Sequence, residues 1–368
     1  MTPLSIGLVG PLPPPSGGMA NQTLQLAALL RSEGIEVTTV QVNAPYQPAW
    51  IGRIKGLRAV ARLLPYLACL WRTAGSVQVF HVMANSGWSW HLFAAPAIWI
   101  ARLRGTPVVV NYRGGEADDF LARAHRWIAP SLERADAVIV PSGFLEAVFG
   151  KYGLATQVVP NIVNLDRFSS AAEAQSGAGL RLLVARNLEP IYDNASALRA
   201  LALVRERHPD ATLVVAGSGP QREQLERLAA ELGITQAVTF TGRVDNAAMA
   251  ALYQNTDVML NPSLVDNMPN SVLESLACGV PVVSTNVGGV PYLVEDGRTA
   301  LLVPPQAPEA MAAAVLRLAA EPALAASLRE AGLRQVQSYT WASVRPRLLA
   351  VYQNVRAARA RTTALSQS

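Results

Sequence analysis

Short apolar runs alternate along this chain with longer stretches that have helical spacing. Residues 4–9 form the first apolar run, and a loop rich in glycine and proline separates it from a helical pattern over residues 19–33. Gly34 ends that pattern, since glycine readily adopts the left-handed backbone that closes helices. Residues 35–42 form the next apolar run. This order predicts a strand, a helix and a second strand.

The same alternation continues through the first half of the chain. Apolar runs bounded by turn residues predict buried parallel strands at 77–82, 107–111 and 137–140. The weakly polar stretch 87–101 contains His91 and Pro96. It falls short of the ~20 apolar residues that a membrane span needs, so we interpret it as a buried helix.

A second series of predicted elements follows a segment of small and polar residues. Residues 169–179 are mostly small or polar, which predicts a linker. Beyond it, apolar runs predict strands at 180–185, 211–216, 238–240, 258–260 and 281–284. Helical spacing predicts helices at 194–207, 220–232 and 270–278, and from 308 onward. We therefore expect two doubly wound α/β domains, 1–168 and 180–340, and a C-terminal helix over 341–368.

The composition excludes several classes of protein. A chain of 368 residues with 51% hydrophobic and 15% charged residues fits two globular domains and excludes a disordered protein. Cys69 and Cys278 lie far apart, and the four histidines have no zinc-binding spacing, so we expect no metal. The first residues have no signal-peptide pattern, and these features together predict a cytoplasmic protein.

Two loops resemble phosphate-binding turns. Residues 10–23 join a strand to a helix, and Gly17 and Gly18 would let the backbone and the first helical N–H groups approach an anion. An ordinary strand-to-helix turn explains this loop equally well. The second loop, 216–224, has Gly217 and Gly219 but lacks the third glycine and the later acid of a dinucleotide fingerprint, which argues against NAD and FAD.

Residues 261–303 carry the most informative pattern. Asp266 and Glu274 lie eight positions apart, and Pro269 and Asn270 stand where a helix would begin. The unpaired N–H groups of that helix start would face a phosphate or a sugar hydroxyl. Glu274 would accept hydrogen bonds from a vicinal diol such as ribose. The run GVPVVSTNVGG, which follows, predicts a buried strand leading into a glycine-rich turn beside that helix.

This segment resembles the signature of the family 4 retaining glycosyltransferases, also described as glycosyl transferases group 1. Their hallmark is Glu-x7-Glu followed by A-x-G-x-P-V-V; here Asp266 and Glu274 are followed by the matching residues 277–283. The stretches 135–142, 158–168, 215–220 and 240–244 also resemble that family at the same places. The resemblance implies the GT-B fold, in which two Rossmann-like domains face each other across a cleft. It also implies that the helix over 341–368 crosses back to the first domain.

The family pattern implies roles for the matched positions. Glu274 would hold the nucleotide ribose, Asp266 would lie near the donor sugar, and Arg186 would neutralise the diphosphate leaving group. Gly17 and Gly18 would approach the same phosphate from the other domain. Further donor contacts would come from residues beside the base and from the start of the helix: Gly242, Arg243, Asn267, Met268, Pro269, Asn270 and Ser271.

Two departures from the family pattern concern charge. The family has a lysine in an R-x4-K-G setting after the Arg186 position, whereas Tyr192 or Ile191 occupies the nearest place here. A family histidine in the first domain is replaced by Arg113, which lies at the carboxyl end of a predicted strand. We expect Arg113 to act as a substitute cation; the alternative is a surface arginine in a loop.

The implied reaction is metal-independent sugar transfer with retention at the anomeric carbon. The donor would be a UDP- or GDP-linked sugar and the acceptor a glycan or a lipid-linked molecule, in glycan, polysaccharide or glycolipid assembly. The resemblance implies no resident cofactor and no nucleic-acid partner. The alternative is a catalytically weakened relative that binds a nucleotide sugar, which the missing lysine and histidine motivate.

Residues 52–72 combine positive charge with apolar positions. Residues 1–160 carry 13 Lys and Arg against 8 Asp and Glu, whereas the rest of the chain is balanced. A helical projection places four basic residues on one side with apolar neighbours: Lys55, Arg58, Arg62 and Arg72, beside Leu57, Leu64, Leu67 and Trp71. Pro65 interrupts this pattern. Peripheral contact with an anionic membrane, at the cytoplasmic face of the inner membrane, and a basic-edged core helix both remain open.

Overall fold

The computed structural model describes residues 4–14, 17–46, 48, 50, 54, 57–170 and 179–367. The chain divides into two compact units. The first unit comprises Met1–Asn161 and Val344–Ser368, and the second comprises Ile162–Ser343. Most of the predicted linker, as well as Lys55, lies outside the described residues.

The first unit contains a parallel sheet of six strands in the order β2-β1-β3-β4-β5-β6. The strands are β1 (Ser5–Gly10), β2 (Glu36–Gln41), β3 (Val79–Ala84), β4 (Val108–Tyr112), β5 (Ala137–Val140) and β6 (Gln157–Val158). The helices between them are α1 (Gly18–Ser32), α2 (Leu57–Ala74), α3 (Ala95–Leu103), α4 (Ala117–Leu132) and α5 (Gly143–Gly150). The strand order reverses between β1 and β3, which is where sheets of this kind bind ligands.

The second unit repeats this architecture, with the strand order β12-β11-β10-β7-β8-β9. Its strands are β7 (Arg181–Ala185), β8 (Thr212–Ala216), β9 (Val238–Gly242), β10 (Val258–Asn261), β11 (Val282–Thr285) and β12 (Leu301–Val303). Its helices are α6 (Asn194–Arg205), α7 (Arg222–Glu231), α8 (Asn246–Gln254), α9 (Asn270–Ala277), α10 (Val290–Leu293), α11 (Pro308–Ala320) and α12 (Pro322–Val336). The strand order reverses between β7 and β10. The predicted fold class, two doubly wound α/β domains, is confirmed.

Alternation along β7 explains why its sequence is a continuous apolar run. Leu182 and Val184 pack into one hydrophobic cluster of the second unit, whereas Leu183 packs into another. Successive side chains of a strand point to opposite faces, so a sheet covered by helices on both faces needs apolar residues at every position. The first unit shows the same pattern in β3, whose six residues are all buried.

The domain boundary differs from the expected position at residue 168. Residues 162–168 belong to the second unit. The Val163 N–H donates to the Tyr339 carbonyl oxygen at 2.9 Å, and the Phe168 ring packs edge-on against Tyr253, with 6.0 Å between ring centroids. Apolar side chains in this segment therefore stabilise the second core.

The C-terminal helix α13 (Trp341–Gln367) is assigned to the first unit from Val344 onward. Its Tyr352 hydroxyl lies 2.8 Å from His81 Nδ1 of β3, and Arg345 forms an ion pair with Glu33 at 2.9 Å. The Arg359 Nε donates to the Gly105 carbonyl oxygen at 3.2 Å. These contacts complete the first unit with residues from the end of the chain.

Three expectations for the first half need correction. Pro65 does not interrupt α2, which runs through it, because Pro65 is exposed and water can reach the carbonyl that the missing N–H leaves unpaired. Arg62 does not join an outer basic surface, since its Cζ stacks 4.3 Å from the Tyr46 ring centroid. Residues 87–101 become a π-helical turn (Trp90–Ala94) followed by α3, buried only on the inner side.

Among the described residues, no single helix has the length and hydropathy of a membrane span. One helix pair, Pro308–Ala320 with Pro322–Arg361, meets those two criteria jointly but is bent by 100° at its break.

Candidate functional site

The carboxyl edge of the second sheet holds a linked set of polar side chains at the point where the strand order reverses. Asn261, the last residue of β10, is fully buried. Its Oδ1 accepts from Arg186 Nε at 2.8 Å, and its Nδ2 donates to Ser284 Oγ of β11 at 2.9 Å. Asn261 therefore fixes the guanidinium that follows β7 against the two neighbouring strands.

Arg186 and Asp266, both predicted site residues, form a buried ion pair with each other. The Tyr192 ring lies against the same guanidinium, with its centroid 5.0 Å from Cζ. Burial lowers the pKa of Arg186, and the neighbouring Tyr192, Tyr253 and Glu274 counteract this. Among the described residues, nothing hydrogen-bonds the Nη1 amino group, so that part of the guanidinium is available to an anion.

Ile191 and Tyr192 are the residues nearest the place of the family lysine, and of these two the Tyr192 ring lies against Arg186. The next residue, Asp193, has φ +39°, a left-handed backbone that favours glycine. An aromatic ring is stacked on Arg186 in the region where the family pattern has a second cation.

The amino end of α9 has no side-chain cap and no acidic residue in its first turn. Pro269 precedes the helix with an extended backbone, and Ser271 in the first turn is 6% exposed. Its Oγ has no hydrogen-bond partner among the described residues. A buried hydroxyl at a helix start needs an acceptor, because leaving it unpaired costs ~1–3 kcal/mol. An anionic ligand would supply that acceptor.

Glu274 lies one turn further along α9. Burial raises the pKa of Glu274 to about 7, although the Tyr253 hydroxyl and the Arg186 and Arg167 charges lower it. Tyr253 Oη lies 3.1 Å from Glu274 Oε2 and 3.1 Å from the Ser271 carbonyl oxygen. No donor among the described residues contacts Oε1, so the carboxylate can accept further hydrogen bonds there.

Gly288 and Gly289 hold the loop before α9 in place. The Gly289 N–H donates to the Asp266 carbonyl oxygen at 3.0 Å. A Cβ on Gly288 would overlap the carbonyl oxygen of Asp266, and a Cβ on Gly289 would overlap that of Asn267. These glycines are therefore required by the close approach of two backbone segments. The predicted glycine-rich turn does lie beside the helix start, and it fixes Asp266 and Asn267.

The glycines of the second loop have the same kind of role. A Cβ on Gly217 would overlap the Arg186 carbonyl oxygen, and a Cβ on Gly219 would overlap that of Leu188. The Leu188 N–H donates to the Ser218 carbonyl oxygen at 3.2 Å. The loop therefore packs on the backbone that carries Arg186.

The predicted donor residues do not all lie together. Asp266, Asn267, Met268, Pro269, Asn270, Ser271 and Glu274 are grouped at the amino end of α9, beside Arg186. Gly242 and Arg243 instead follow β9, the edge strand two places from β7, roughly 10 Å along the sheet. Arg243 is exposed, and no hydrogen bond or ion pair joins it to the α9 group among the described residues. These two residues stay a prediction for the base.

In the first unit, Gly17 and Gly18 stand at the amino end of α1. Gly17 precedes the helix with φ −167°, and no side chain caps the helix. A Cβ on either glycine would meet no atom of the described residues within 4 Å. Unlike Gly217 and Gly289, these glycines are not required by chain packing, and the space beside the helix start is open.

Arg113 is half-buried, so it is not a surface arginine. Its Nε donates to Asn111 Oδ1 at 3.1 Å, and its Nη1 donates to the amide oxygens of Gln22 and Asn161. Burial lowers the pKa of Arg113 to about 10, so it stays cationic near neutral pH. Among the described residues it forms no ion pair, which leaves a positive charge held only by neutral amides.

The buried His81 orients Asn111, one of the three amide side chains that accept hydrogen bonds from Arg113. Asn111 Nδ2 donates to His81 Nε2 at 3.0 Å, which leaves the proton of a neutral ring on Nδ1, facing Tyr352 Oη at 2.8 Å. Burial and the Arg113 charge lower the pKa of His81 to about 3. The neutral ring therefore fixes the Asn111 amide so that its oxygen faces Arg113.

Sequence reasoning missed the polar residues that position the predicted ones. Asn261 had one available signal, since it is a polar side chain at the end of a buried apolar run. No such signal marks Tyr253, Gln22 and Asn161. Tyr253 contacts Glu274, and Gln22 and Asn161 contact Arg113, from elements that are distant in sequence.

Two family models match most of the chain. A model described as Glycosyltransferase Family 4 matches residues 16–167, and one described as Glycosyl transferases group 1 matches residues 180–321.

Two relatives agree with these matches. The D-inositol 3-phosphate glycosyltransferase of Streptomyces avermitilis is 34% identical over 238 residues, which are 60% of this chain and 50% of that protein. The chain thus matches about half the length of that relative. The phosphatidyl-myo-inositol mannosyltransferase of Mycobacterium leprae is 28% identical over 364 residues, which are 92% of this chain and 93% of that protein.

Solved structures share the fold. Sucrose-phosphate synthase from Thermosynechococcus elongatus has a TM-score of 0.75 at 22% identity, covering 96% of this chain and 100% of that one. Anabaena HepE in complex with UDP has a TM-score of 0.75 at 16% identity, covering 95% and 100%. With both halves matched by its models, this chain belongs to glycosyltransferase family 4 and has the GT-B fold of two Rossmann-like domains.

Proposed function

We propose that the chain is a retaining glycosyltransferase that binds a nucleotide-diphosphate sugar at the carboxyl edge of the second sheet. The observation that carries this proposal is the amino end of α9. It combines an uncapped helix start, the unpaired Ser271 hydroxyl and the Glu274 carboxylate with a free oxygen. The diphosphate meets the helix start, and the ribose diol donates to Glu274.

Arg186 stabilises the charge that develops on the departing diphosphate. Its Nη1 group is free to donate, while Nε stays fixed by Asn261. Asp266 holds the guanidinium before the donor arrives. In this proposal it also accepts hydrogen bonds from the donor sugar hydroxyls. A fixed cation aimed at a leaving group lowers the barrier without reorganisation, which is the usual basis of such catalysis.

Arg113 supplies a second positive charge in this proposal. Its support is the cradle of three amide oxygens, which orients the guanidinium at the end of β4 without neutralising it. Tyr192 cannot replace the missing lysine, because a phenol carries no positive charge near neutral pH. We therefore expect Arg113→Ala to lower kcat more than it raises KM.

For the donor base, the sugar and the acceptor, we propose the chemical class of each. HepE is described as a complex with UDP, and the Mycobacterium leprae relative is named as a mannosyltransferase acting on phosphatidyl-myo-inositol. We propose a UDP- or GDP-linked sugar as donor, and a glycan or lipid-linked hydroxyl compound as acceptor. The alternative of a chain that binds donor without turnover has no support from the Mycobacterium leprae relative, which is named for a transfer reaction.

Calorimetric titration with UDP, GDP and NAD, together with an assay for sugar release from matched donors, tests this function. We expect binding of one nucleoside diphosphate, no binding of NAD, and sugar transfer or donor hydrolysis. Glu274→Ala should weaken nucleotide binding by ~1.5–3 kcal/mol, the range for hydrogen bonds to charged groups. Equal affinity in that variant would show that the ribose binds elsewhere. Binding without release or transfer would favour the inactive alternative.

A further inference from the structure

A chain of hydrogen bonds inside the first unit joins the last helix to Arg113. The Tyr352 hydroxyl of α13 lies 2.8 Å from His81 Nδ1, and His81 Nε2 lies 3.0 Å from Asn111 Nδ2. Asn111 Oδ1 in turn accepts from Arg113 Nε at 3.1 Å. We name Tyr352, His81 and Asn111 the Arg113 relay. Because α13 belongs to the first unit from Val344 onward, the whole relay lies within that unit.

The alternation of side chains along β3 and β4 brings two members of the relay together. Phe80 and Val82 of β3 pack in the large core cluster of the first unit. His81 lies between them in sequence and therefore faces the other side of the sheet. On the neighbouring strand β4, Val110 belongs to the same cluster, so Asn111 shares the side of His81. The contact with Tyr352 shows that α13 reaches this side.

The Arg113 guanidinium determines the direction of every hydrogen bond in the relay. Guanidinium N–H groups only donate, so the Asn111 amide turns its oxygen towards Arg113 and its NH2 group towards His81. That NH2 group also only donates, so His81 Nε2 accepts and the proton of the neutral ring lies on Nδ1. The Nδ1–H group then donates to the Tyr352 hydroxyl oxygen. Reversing any one of these bonds would place two donors against each other.

The members of the relay are buried polar groups in a position that apolar side chains could fill. Tyr352 and His81 are 0% exposed, and Asn111 is 1% exposed. Burial lowers the pKa of His81 to about 3 and raises the pKa of Tyr352, so both side chains are neutral near pH 7. Replacing paired polar groups by apolar ones of the same shape costs a core little stability. A fully paired network instead fixes one arrangement of its members, and here that arrangement ends at Arg113.

We propose that Tyr352 is a positioning residue of the transfer reaction, which holds the Arg113 guanidinium in place from the last helix. The inference rests on the proposed role of Arg113 as a second cation. Without the Tyr352 hydroxyl, the proton on His81 Nδ1 has no acceptor there, and the ring can protonate Nε2 instead. A proton on Nε2 turns the Asn111 amide over, so that its NH2 group faces Arg113 Nε. These two donors repel each other, and the guanidinium leaves its position.

Nitrogen-15 NMR of the histidine rings tests the relay in the full chain without any ligand. The chain has four histidines, and His81→Gln assigns the His81 signals by their loss. At about pH 7 we expect the wild-type ring to carry its proton on Nδ1, and Tyr352→Phe to show a second tautomer with the proton on Nε2. A wild-type ring protonated on Nε2, or the same single tautomer in both proteins, would overturn the proposal.

Steady-state kinetics with UDP-glucose and GDP-mannose as donor probes measures the effect on the reaction. Tyr352→Phe should lower kcat by about tenfold and change the donor KM by less than about twofold, because a displaced cation loses contact with the leaving group. Tyr66→Phe is a matched control in the same unit. Tyr66 is 4% exposed, and its hydroxyl donates to the Phe93 carbonyl oxygen at 2.7 Å. This variant loses a buried hydrogen bond of the same kind and should keep the wild-type kcat.

A double-mutant cycle with Arg113→Ala separates positioning from a general structural effect. In the Arg113→Ala background, Tyr352→Phe should lower kcat no further, because the group that Tyr352 positions is gone. Equal losses in both backgrounds, or a wild-type kcat in Tyr352→Phe while Arg113→Ala is slow, would overturn the inference and leave the proposed function standing. A wild-type kcat in Arg113→Ala would overturn the proposed role of Arg113, and the inference with it.

Discussion

At the residue scale, Glu274 has conflicting requirements for stability and binding. The fold buries its carboxyl group, and burial raises its pKa from 4.5 to about 7. Nucleotide binding requires the ionised form, because a protonated carboxyl loses acceptor capacity and charge. Above a pH of about 7, the ionised carboxylate that the proposed binding needs therefore lowers the free energy of unfolding.

Glu274→Gln should change the pH dependence of stability. Since the folded pKa lies above the unfolded one, the contribution of Glu274 to stability is full below pH 4.5 and is lost as pH rises through about 7. The variant cannot ionise, so its melting temperature should exceed that of the wild type at pH 8 and approach it at pH 5. Thermal denaturation across this range measures the effect; parallel curves for both proteins would contradict it.

His81 has the opposite pH signature in the first unit. Its pKa falls from 6.5 to about 3 on folding, so the stability it contributes is present above pH 6.5 and is lost as pH falls towards 3. His81→Gln removes the titrating group while keeping an amide that can bond Asn111. We expect a shallower loss of stability between pH 6.5 and 4. Tyr339→Phe, a substitution of a half-exposed tyrosine, is a control that should keep the wild-type slope.

At the scale of elements, the amino end of α9 carries a polar group that the described residues leave unpaired. Ser271 buries an unpaired hydroxyl there, whereas Ser275, one turn later, donates to the Val280 carbonyl oxygen at 3.1 Å. The two serines share a helix and are both buried, but of the two hydroxyls only that of Ser275 makes a hydrogen bond within the described residues.

Ser271→Ala should have opposite effects on stability and affinity. Removing the unpaired group should raise the unfolding free energy by about 1 kcal/mol, while the lost bond to phosphate should weaken nucleotide binding about tenfold. Ser275→Ala should lower the unfolding free energy and leave affinity unchanged. Chemical denaturation and titration calorimetry measure both quantities, and destabilisation by Ser271→Ala would refute the ligand role.

Gly18 and Gly289 should respond differently to substitution by alanine. Gly18 lies in the first turn of α1 with open space around it, so Gly18→Ala should raise stability by ~0.4–1 kcal/mol and lower transfer activity. Gly289→Ala forces two backbone segments apart and should lower the melting temperature clearly. If Gly18→Ala left activity intact, α1 would have no role in donor binding.

Element types followed from the sequence, but the partners of side chains did not. Apolar runs and helix-start residues predicted β7 and α9 because local spacing reflects burial and capping. The pairing of Arg186 with Asp266 joins positions 80 residues apart, and the Tyr192 ring contacts the same guanidinium from the turn Pro190–Tyr192. No local pattern encodes such contacts.

At the scale of the whole molecule, the last helix belongs to the first unit from Val344 onward. Side chains of α13 at 0–4% exposure are Val344, Leu348, Val351, Tyr352 and Val355. The boundary near residue 162 and this return of the chain are long-range features. The small and polar residues at 169–179 predicted a linker there. The second unit begins before that segment, at Ile162, and Val163 and Phe168 pack in its core.

Deletion of residues 344–368 should unfold the first unit. Burial of the five apolar side chains contributes roughly 10 kcal/mol, at ~1.5–3 kcal/mol each, which is comparable to the 5–15 kcal/mol that stabilises a typical domain. Near-ultraviolet circular dichroism and proteolysis should show loss of the first unit. A truncated chain with the unfolding profile of the full chain would contradict this assignment.

A crystal structure with bound UDP or GDP tests the central claim most directly. We predict that the diphosphate lies at the amino end of α9, with Ser271 Oγ and Arg186 Nη1 about 3 Å from its oxygens and the ribose hydroxyls on Glu274. A nucleotide bound elsewhere, with Ser271 Oγ still unpaired, would contradict the account.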